Sequence, residues 1–178
     1  MIVTHLYSDP HFGHKNIIEH AQRPFKSADE MDAYLEAQYL KSVTEADTVI
    51  WCGDVSFHDV LWTRALLKVL PGKKILVRGN HDGTLAACLK MGFDLVADFL
   101  YVEIGGYKCT VCHYPPARST KDERYLERRP MAPSRDEFII HGHTHEKEKR
   151  IGRRIHVGVD AWEFKPAPIS EIEKLIQG

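Results

Sequence analysis

Short apolar runs recur along the chain, and five of them stop at a residue able to bind a cation. Residues 2–7 (IVTHLY) run into Ser8-Asp9-Pro10-His11, and residues 48–52 (TVIWC) into Gly53-Asp54. Residues 73–77 (KKILV) run into Arg78-Gly79-Asn80-His81-Asp82, 109–112 (CTVC) into His113, and 138–140 (FII) into His141-Gly142-His143-Thr144-His145. β-Rich runs of about five residues, closed by polar turns, are strands buried on both faces. In open α/β sheets, ligands sit beyond the carboxyl ends of the strands. The chain must therefore build a sheet interior, and the strand ends must carry its chemistry.

Helical patterns lie between the early runs. Ser27-Ala28-Asp29-Glu30 is a capping box, and Met31, Tyr34, Leu35, Gln38 and Val43 follow near helical spacing, with Gln38 the polar exception. Leu61 to Leu70 reads as a second helix, stopped by Pro71-Gly72, and Thr84 to Met91 as a third. Ser170-Glu171-Ile172-Glu173 reads as a further capping box opening a last helix. FLYVEI, Gly105-Gly106 and YKCTVCH predict a β-hairpin, and a second hairpin is expected to pair 138–141 with 154–159 across EKEKRIGR. The expected fold class is α/β in the first half (βαβαβα), with an α+β-like, mostly antiparallel second half. A length of 178 residues suits one domain over 1–178.

The strand ends supply Asp9 and His11, Asp54, Asn80 and His81, His113, then His143 and His145. Each is an oxygen or imidazole donor, and together they exceed what one tetrahedral zinc needs. A mixed Asp/His/Asn set without thiolate suits Mn²⁺, Fe, Co²⁺, Ni²⁺ or Zn²⁺ in five- or six-coordination. The count divides into two sites sharing one carboxylate, and two ions about 3.5–4 Å apart are the usual clamp on a phosphate ester.

Asp9-Pro10-His11, Gly53-Asp54, Gly79-Asn80-His81-Asp82, His113 and Gly142-His143-Thr144-His145 together resemble the motif set of the calcineurin-like metallophosphoesterases. The resemblance runs from residue 8 to 145 and is nearest to small bacterial and phage-type members opening SDxHFGHxN. It implies a four-layer αββα sandwich of two mixed β-sheets flanked by helices. It also implies two divalent metal ions, Mn²⁺ first among them. Asp9, His11 and His145 would hold one ion, Asn80, His113 and His143 the other, and Asp54 would bridge. A hydroxide between the metals would attack phosphorus. His81 would face the leaving oxygen, with Asp82 orienting its imidazole.

Other residues carry weaker expectations. His14 and Asn16 follow the first motif, where they could face a phosphate or cap a helix. His58 is close enough to Asp54 to touch substrate. Arg78 could reach a phosphate or form a surface ion pair. His141 is expected to stand behind the ligands, while His5 and His156 read as structural and His20 as solvated. Segment 118–135 is either a charged helix or a basic flap over an anionic substrate. Lys147, Lys149, Arg150, Arg153 and Arg154 suggest a second basic group on a hairpin beside the site.

These features point to a phosphodiesterase or phosphatase on nucleotide-like or other small phosphate esters, with no long insertion to cap the site. A metal-dependent nuclease and a catalytically silent scaffold are the rival readings. Net charge of −1 argues against a dedicated nucleic-acid binder. No apolar run approaches the roughly 20 residues that span a bilayer. MIVTHLYSDPH lacks the features of a signal peptide, so a cytoplasmic location is expected. Nothing in the sequence indicates oligomeric state. The four cysteines, Cys109-Thr-Val-Cys112 included, read as buried free thiols, because no second CxxC completes a zinc site.

Overall fold

The computed structural model describes residues 2–117 and 125–178. The first half alternates as expected: β1 (His5–Tyr7), α1 (Lys15–His20), α2 (Ala28–Ser42), β2 (Thr48–Trp51), α3 (Val60–Val69), β3 (Lys73–Val77), α4 (Leu85–Met91) and β4 (Leu95–Ala97). The second half holds β5 (Leu100–Ile104), β6 (Tyr107–Val111), β7 (Glu137–His141), β8 (Arg150–Ile151), β9 (Arg154–His156), β10 (Ala167–Pro168) and α5 (Ile169–Gln177). Two sheets result, ordered β10-β1-β2-β3-β4 and β5-β6-β7-β9-β8. Both are mixed: β1 to β4 run parallel with β10 antiparallel, and β6, β7 and β9 run parallel between antiparallel edges.

Local chemistry starts most of the helices. The Ser27 hydroxyl accepts from the Glu30 amide at 3.2 Å, while the Glu30 carboxylate takes the Lys26 amide at 2.7 Å. Asp59 and Thr84 cap α3 and α4 through the amides of Trp62 and Ala87. The last helix departs from expectation. It begins at Ile169 after Pro168, with no side-chain cap, so Ser170 lies inside its first turn. Tertiary pairing fixes that start, because the Ile169 amide donates to the Thr4 carbonyl at 2.8 Å beside β1.

The sheets explain why the strand runs are apolar on both faces. Leu6, Ile50, Ile75 and Val77 from one sheet meet Val111, Phe138, Ile140 and Ile155 from the other, with Ile172 and Ile176 of α5 in the same core. On the opposite face of the first sheet, Tyr7, Trp51 and Leu76 pack on Met31, Leu35 and Tyr39 of α2. Full burial of such a side chain stabilises by about 1.5–3 kcal/mol.

The expected hairpin between 138–141 and 154–159 is not formed. β7 and β9 pair in parallel, Ile139 with Arg154 and His141 with His156. The true hairpin is β8–β9 around Gly152, and β9 inserts between β7 and β8. This inversion also moves the second basic group. Arg150 and Arg153 lie over the Phe138 ring, near the start of β7, and the Arg150 guanidinium donates to the Leu175 carbonyl. Their guanidinium groups are thus engaged with the Phe138 ring and, for Arg150, with the C-terminal turn of α5. Lys147 approaches Asp160 at 3.8 Å, and the Lys149 ammonium lies 4.0 Å over the Trp162 ring.

All four cysteines are free and buried, as expected. Residues 118–124 of the basic segment lie outside the described residues; Leu126–Arg128 after them form a 3₁₀ turn. Among the described residues no helix is long and apolar enough to cross a membrane.

Candidate metal centre

The carboxyl ends of β1, β2, β3, β6 and β7 converge where the two sheets meet. The Asp9 amide donates to Gly53 (3.1 Å), the Gly142 amide to His113 (3.0 Å) and the Val159 amide to Ser8 (3.0 Å), and these bonds lace the strand ends together. Two donor groups result, Asp9–His11–His145 and Asp54–His113–His143, each with its ligand atoms within 4.8 Å of one another.

The backbone is bent to aim these side chains inward. Asp9, His11, Asp54, His143 and His145 all have left-handed φ, between 51° and 69°. Such conformations cost about 1–3 kcal/mol each and persist where surrounding structure imposes them. Asp and His are among the residue types that tolerate them. Gly79 and Gly142 of the motifs serve close approach instead. A Cβ on Gly79 would collide with Asp54 Oδ1, and one on Gly142 would collide with Ser8 Oγ and Asp9 Oδ2.

Hydrogen bonds fix how the donors present their atoms. His113 Nδ1 lies 2.6 Å from the Cys52 carbonyl, so it donates there and turns Nε2 toward Asn80 Oδ1 (3.2 Å) and Asp54 Oδ2 (3.4 Å). His145 Nδ1 donates to Asp160 Oδ2 at 2.8 Å. The Asp9 carboxylate accepts the His143 amide at 3.0 Å. His11 Nε2 is buried with no hydrogen-bond partner among the described residues, 3.6 Å from Asp54 Oδ2 and 4.0 Å from Asp9 Oδ1. A buried lone nitrogen between carboxylates calls for an occupant. A divalent cation matches this donor set, since it binds neutral imidazole and carboxylate together.

The electrostatics follow from crowding carboxylates and imidazoles in a buried space. Burial opposes charge on His113, but Asp54, Asp9 and the Cys52 carbonyl outweigh it and hold the ring up at about 9. Burial raises the Asp9 carboxyl. Burial would raise Asp54 too, yet His113 and His11 hold it well below the usual carboxylate range. Burial, then the charge of His113, pushes His143 down to about 4.

Comparison with known proteins decides the family. The calcineurin-like phosphoesterase superfamily domain matches residues 4–158. The chain belongs to this superfamily. It is 32% identical over 184 residues to the protein MJ1445 of Methanocaldococcus jannaschii, covering 97% of this chain and 90% of that one. It is also 32% identical over 187 residues to the Gene 66 protein of Mycobacterium phage L5, covering 89% and 87%. The crystal structure of AQ665 from Aquifex aeolicus superposes with a TM-score of 0.75 at 29% identity, covering 98% of this chain and all of that one. Two mixed sheets flanked by helices are thus the family's phosphatase fold, as expected from the motifs.

The remaining residues divide. His81 is exposed, its ring 5.7 Å from that of His11 and its amide held by Asp54 Oδ1 at 2.9 Å. His14 Nδ1 lies 3.3 Å from His11 Nδ1, beside the site, whereas Asn16 is exposed on α1. Asp82 does not orient His81: its carboxylate accepts the amides of Gly79 (2.7 Å), Asp54 (2.9 Å) and Val55 (3.1 Å), clamping two strand-end loops together. His58 is engaged with α2 and α3, its Nε2 bonded to Asp32 at 2.6 Å and its ring stacked on Trp62 at 3.7 Å. Arg78 forms the ion pair of the two alternatives, with Asp98 at 2.7 Å. His141 donates from Nδ1 to the Gly142 carbonyl at 2.9 Å, supporting the ligand loop through its backbone.

Sequence reasoning missed Arg23 and Asp160. Arg23 is buried and donates to the carbonyls of Asp9 (2.7 Å) and Pro10 (2.9 Å) and to Asp160 (3.0 and 2.9 Å). Asp160 in turn orients His145. No local pattern marks a pair separated by 137 positions.

Proposed function

We propose that this chain is a two-metal phosphoesterase that hydrolyses nucleotide-like or other small phosphate esters, with phosphodiesters as its principal substrates. One observation carries the reading: Asp54 Oδ2 stands 3.6 Å from His11 Nε2 of one donor group and 3.4 Å from His113 Nε2 of the other. A carboxylate between two imidazole-bearing donor groups supports two ions sharing a ligand. Asp9, His11 and His145 would hold the first ion and Asn80, His113 and His143 the second, with Asp54 common to both and Mn²⁺ the favoured metal. Bound ions of this kind supply an activated water as nucleophile and offset charge on the phosphate oxygens.

The chain's own residues do the rest. Asp160 and the Cys52 carbonyl hold His145 and His113 in the tautomer that directs Nε2 inward. His81, exposed and fixed through its amide, gives a proton to the leaving oxygen. The nuclease reading has less support, because the Arg150 and Arg153 guanidinium groups are engaged with the Phe138 ring and the net charge is −1.

His81→Ala tests the assignment, with bis(2-phenylethyl) phosphate and 2-phenylethyl phosphate as substrates in Mn²⁺, because an alkoxide leaving group needs the proton that His81 supplies. The expected loss in kcat is about 10²–10⁴-fold with metal content unchanged, and the native enzyme should prefer the diester. Loss of bound metal in the variant, or a preference for the monoester, would contradict the reading.

A further inference from the structure

Phe57 lies three residues beyond Asp54 and is 43% exposed, while Val55 between them is 2% exposed. Exposed apolar side chains are common singly, but this one is held in place. Its amide donates to the Phe12 carbonyl at 2.7 Å, tying together the loops that follow β1 and β2. Its ring stacks on His14 with centroids 3.8 Å apart and planes 16° from parallel. The same ring lies 5.5 Å from that of His11, at 26°, and 4.7 Å from that of His81. A partly exposed aromatic ring is thus fixed beside the donor cluster, between His11 of one donor group and the residue assigned to the leaving oxygen.

We infer that the leaving group carries a flat aromatic ring, as a nucleoside does, and that this ring stacks against Phe57. The inference rests on the phosphoesterase reading and on the side it gives to His81. A leaving oxygen near His81 places its substituent within a ring's width of Phe57, since aromatic pairs settle with centroids about 4.5–7 Å apart. The neighbours favour a π-face over an alkyl chain, because His14 and His81 are themselves planar rings tilted around the same space. Pre-fixing Phe57 removes the ordering cost that an exposed side chain would otherwise bring to binding.

The test compares bis(2-phenylethyl) phosphate with bis(2-cyclohexylethyl) phosphate, whose leaving alcohols match in length but differ in flatness. Native protein, Phe57→Leu and Phe57→Trp are assayed in Mn²⁺, and binding of the corresponding 2-phenylethyl- and 2-cyclohexylethylphosphonates is measured by calorimetry. The native enzyme should prefer the phenyl ester in kcat/KM and the phenyl phosphonate in Kd. Phe57→Leu should lose roughly tenfold on the phenyl compounds alone, mainly in KM, and Phe57→Trp should keep the preference. Equal losses on phenyl and cyclohexyl compounds, or no preference in the native protein, would overturn the inference. Hydrolysis of neither ester with a retained phenyl preference in calorimetry would sink the phosphoesterase reading and leave the stacking surface standing.

Discussion

Asp160 Oδ2 lies 2.8 Å from His145 Nδ1, and the same carboxylate takes two hydrogen bonds from Arg23, which also holds the carbonyls of Asp9 and Pro10. One buried ion pair therefore positions both ends of the first donor group. Asp160→Asn should weaken metal binding at Asp9–His11–His145 by about 10–100-fold. Asp160→Ala, which strands the Arg23 charge, should cost about 3–5 kcal/mol of stability. Metal titration and urea unfolding check the two parts. Unchanged affinity in Asp160→Asn would show that His145 needs no orientation.

Gly142 has its place because Ser8 and Asp9 occupy the space a side chain would need. Gly142→Ala should displace the Asp9 carboxylate and remove metal from that group while Asp54–His113–His143 retains its own. Metal content per chain, read beside circular dichroism, is the measurement. Two bound ions in a folded Gly142→Ala variant would contradict it.

The strand ends were readable from sequence because buried runs and donor residues are both local features. Asp9, Asp54 and His113 follow apolar stretches too short and too uniform to be helices. The pairing of β7 with β9 was hidden for the same reason: adjacency in sequence suggested a hairpin, whereas β9 folds back to insert between β7 and β8. The role of Asp82 was misread because its partners, the amides of Asp54 and Val55, come from another strand end. The left-handed backbone at five donor positions is set by tertiary contacts and leaves no mark in composition.

His156 is 1% exposed, and neither ring nitrogen has a partner among the described residues. Burial, then the neighbouring His141, pushes its pKa down to about 3. Above pH 6.5 the ring is neutral in both folded and unfolded chains and carries no pH dependence. As pH falls from there toward 3, the unfolded chain gains a proton that the folded one refuses, and stability drops by about 1.4 kcal/mol per pH unit. His156→Phe should flatten the fall between pH 6.5 and 5 by that slope in urea unfolding. An identical slope in both proteins would mean that the ring is charged or solvated in the fold.

Cys109 and Cys112 are buried, and burial pushes both thiols up to about 11. At pH 8 neither offers a useful thiolate fraction. Labelling by a thiol reagent should follow unfolding, with rapid modification only in denaturant. Rapid labelling of the folded protein, or zinc retained through these two sulfurs, would contradict the reading of CxxC as core.

The most direct test returns Mn²⁺ to chelator-stripped protein and follows hydrolysis of bis-p-nitrophenyl phosphate, with Asp54→Asn alongside. Activity should be absent from the stripped protein, rise as Mn²⁺ is added, and level off at two ions per chain, while Asp54→Asn stays near background. Background hydrolysis at every Mn²⁺ level, or full activity in Asp54→Asn, would contradict a two-ion centre built on that carboxylate.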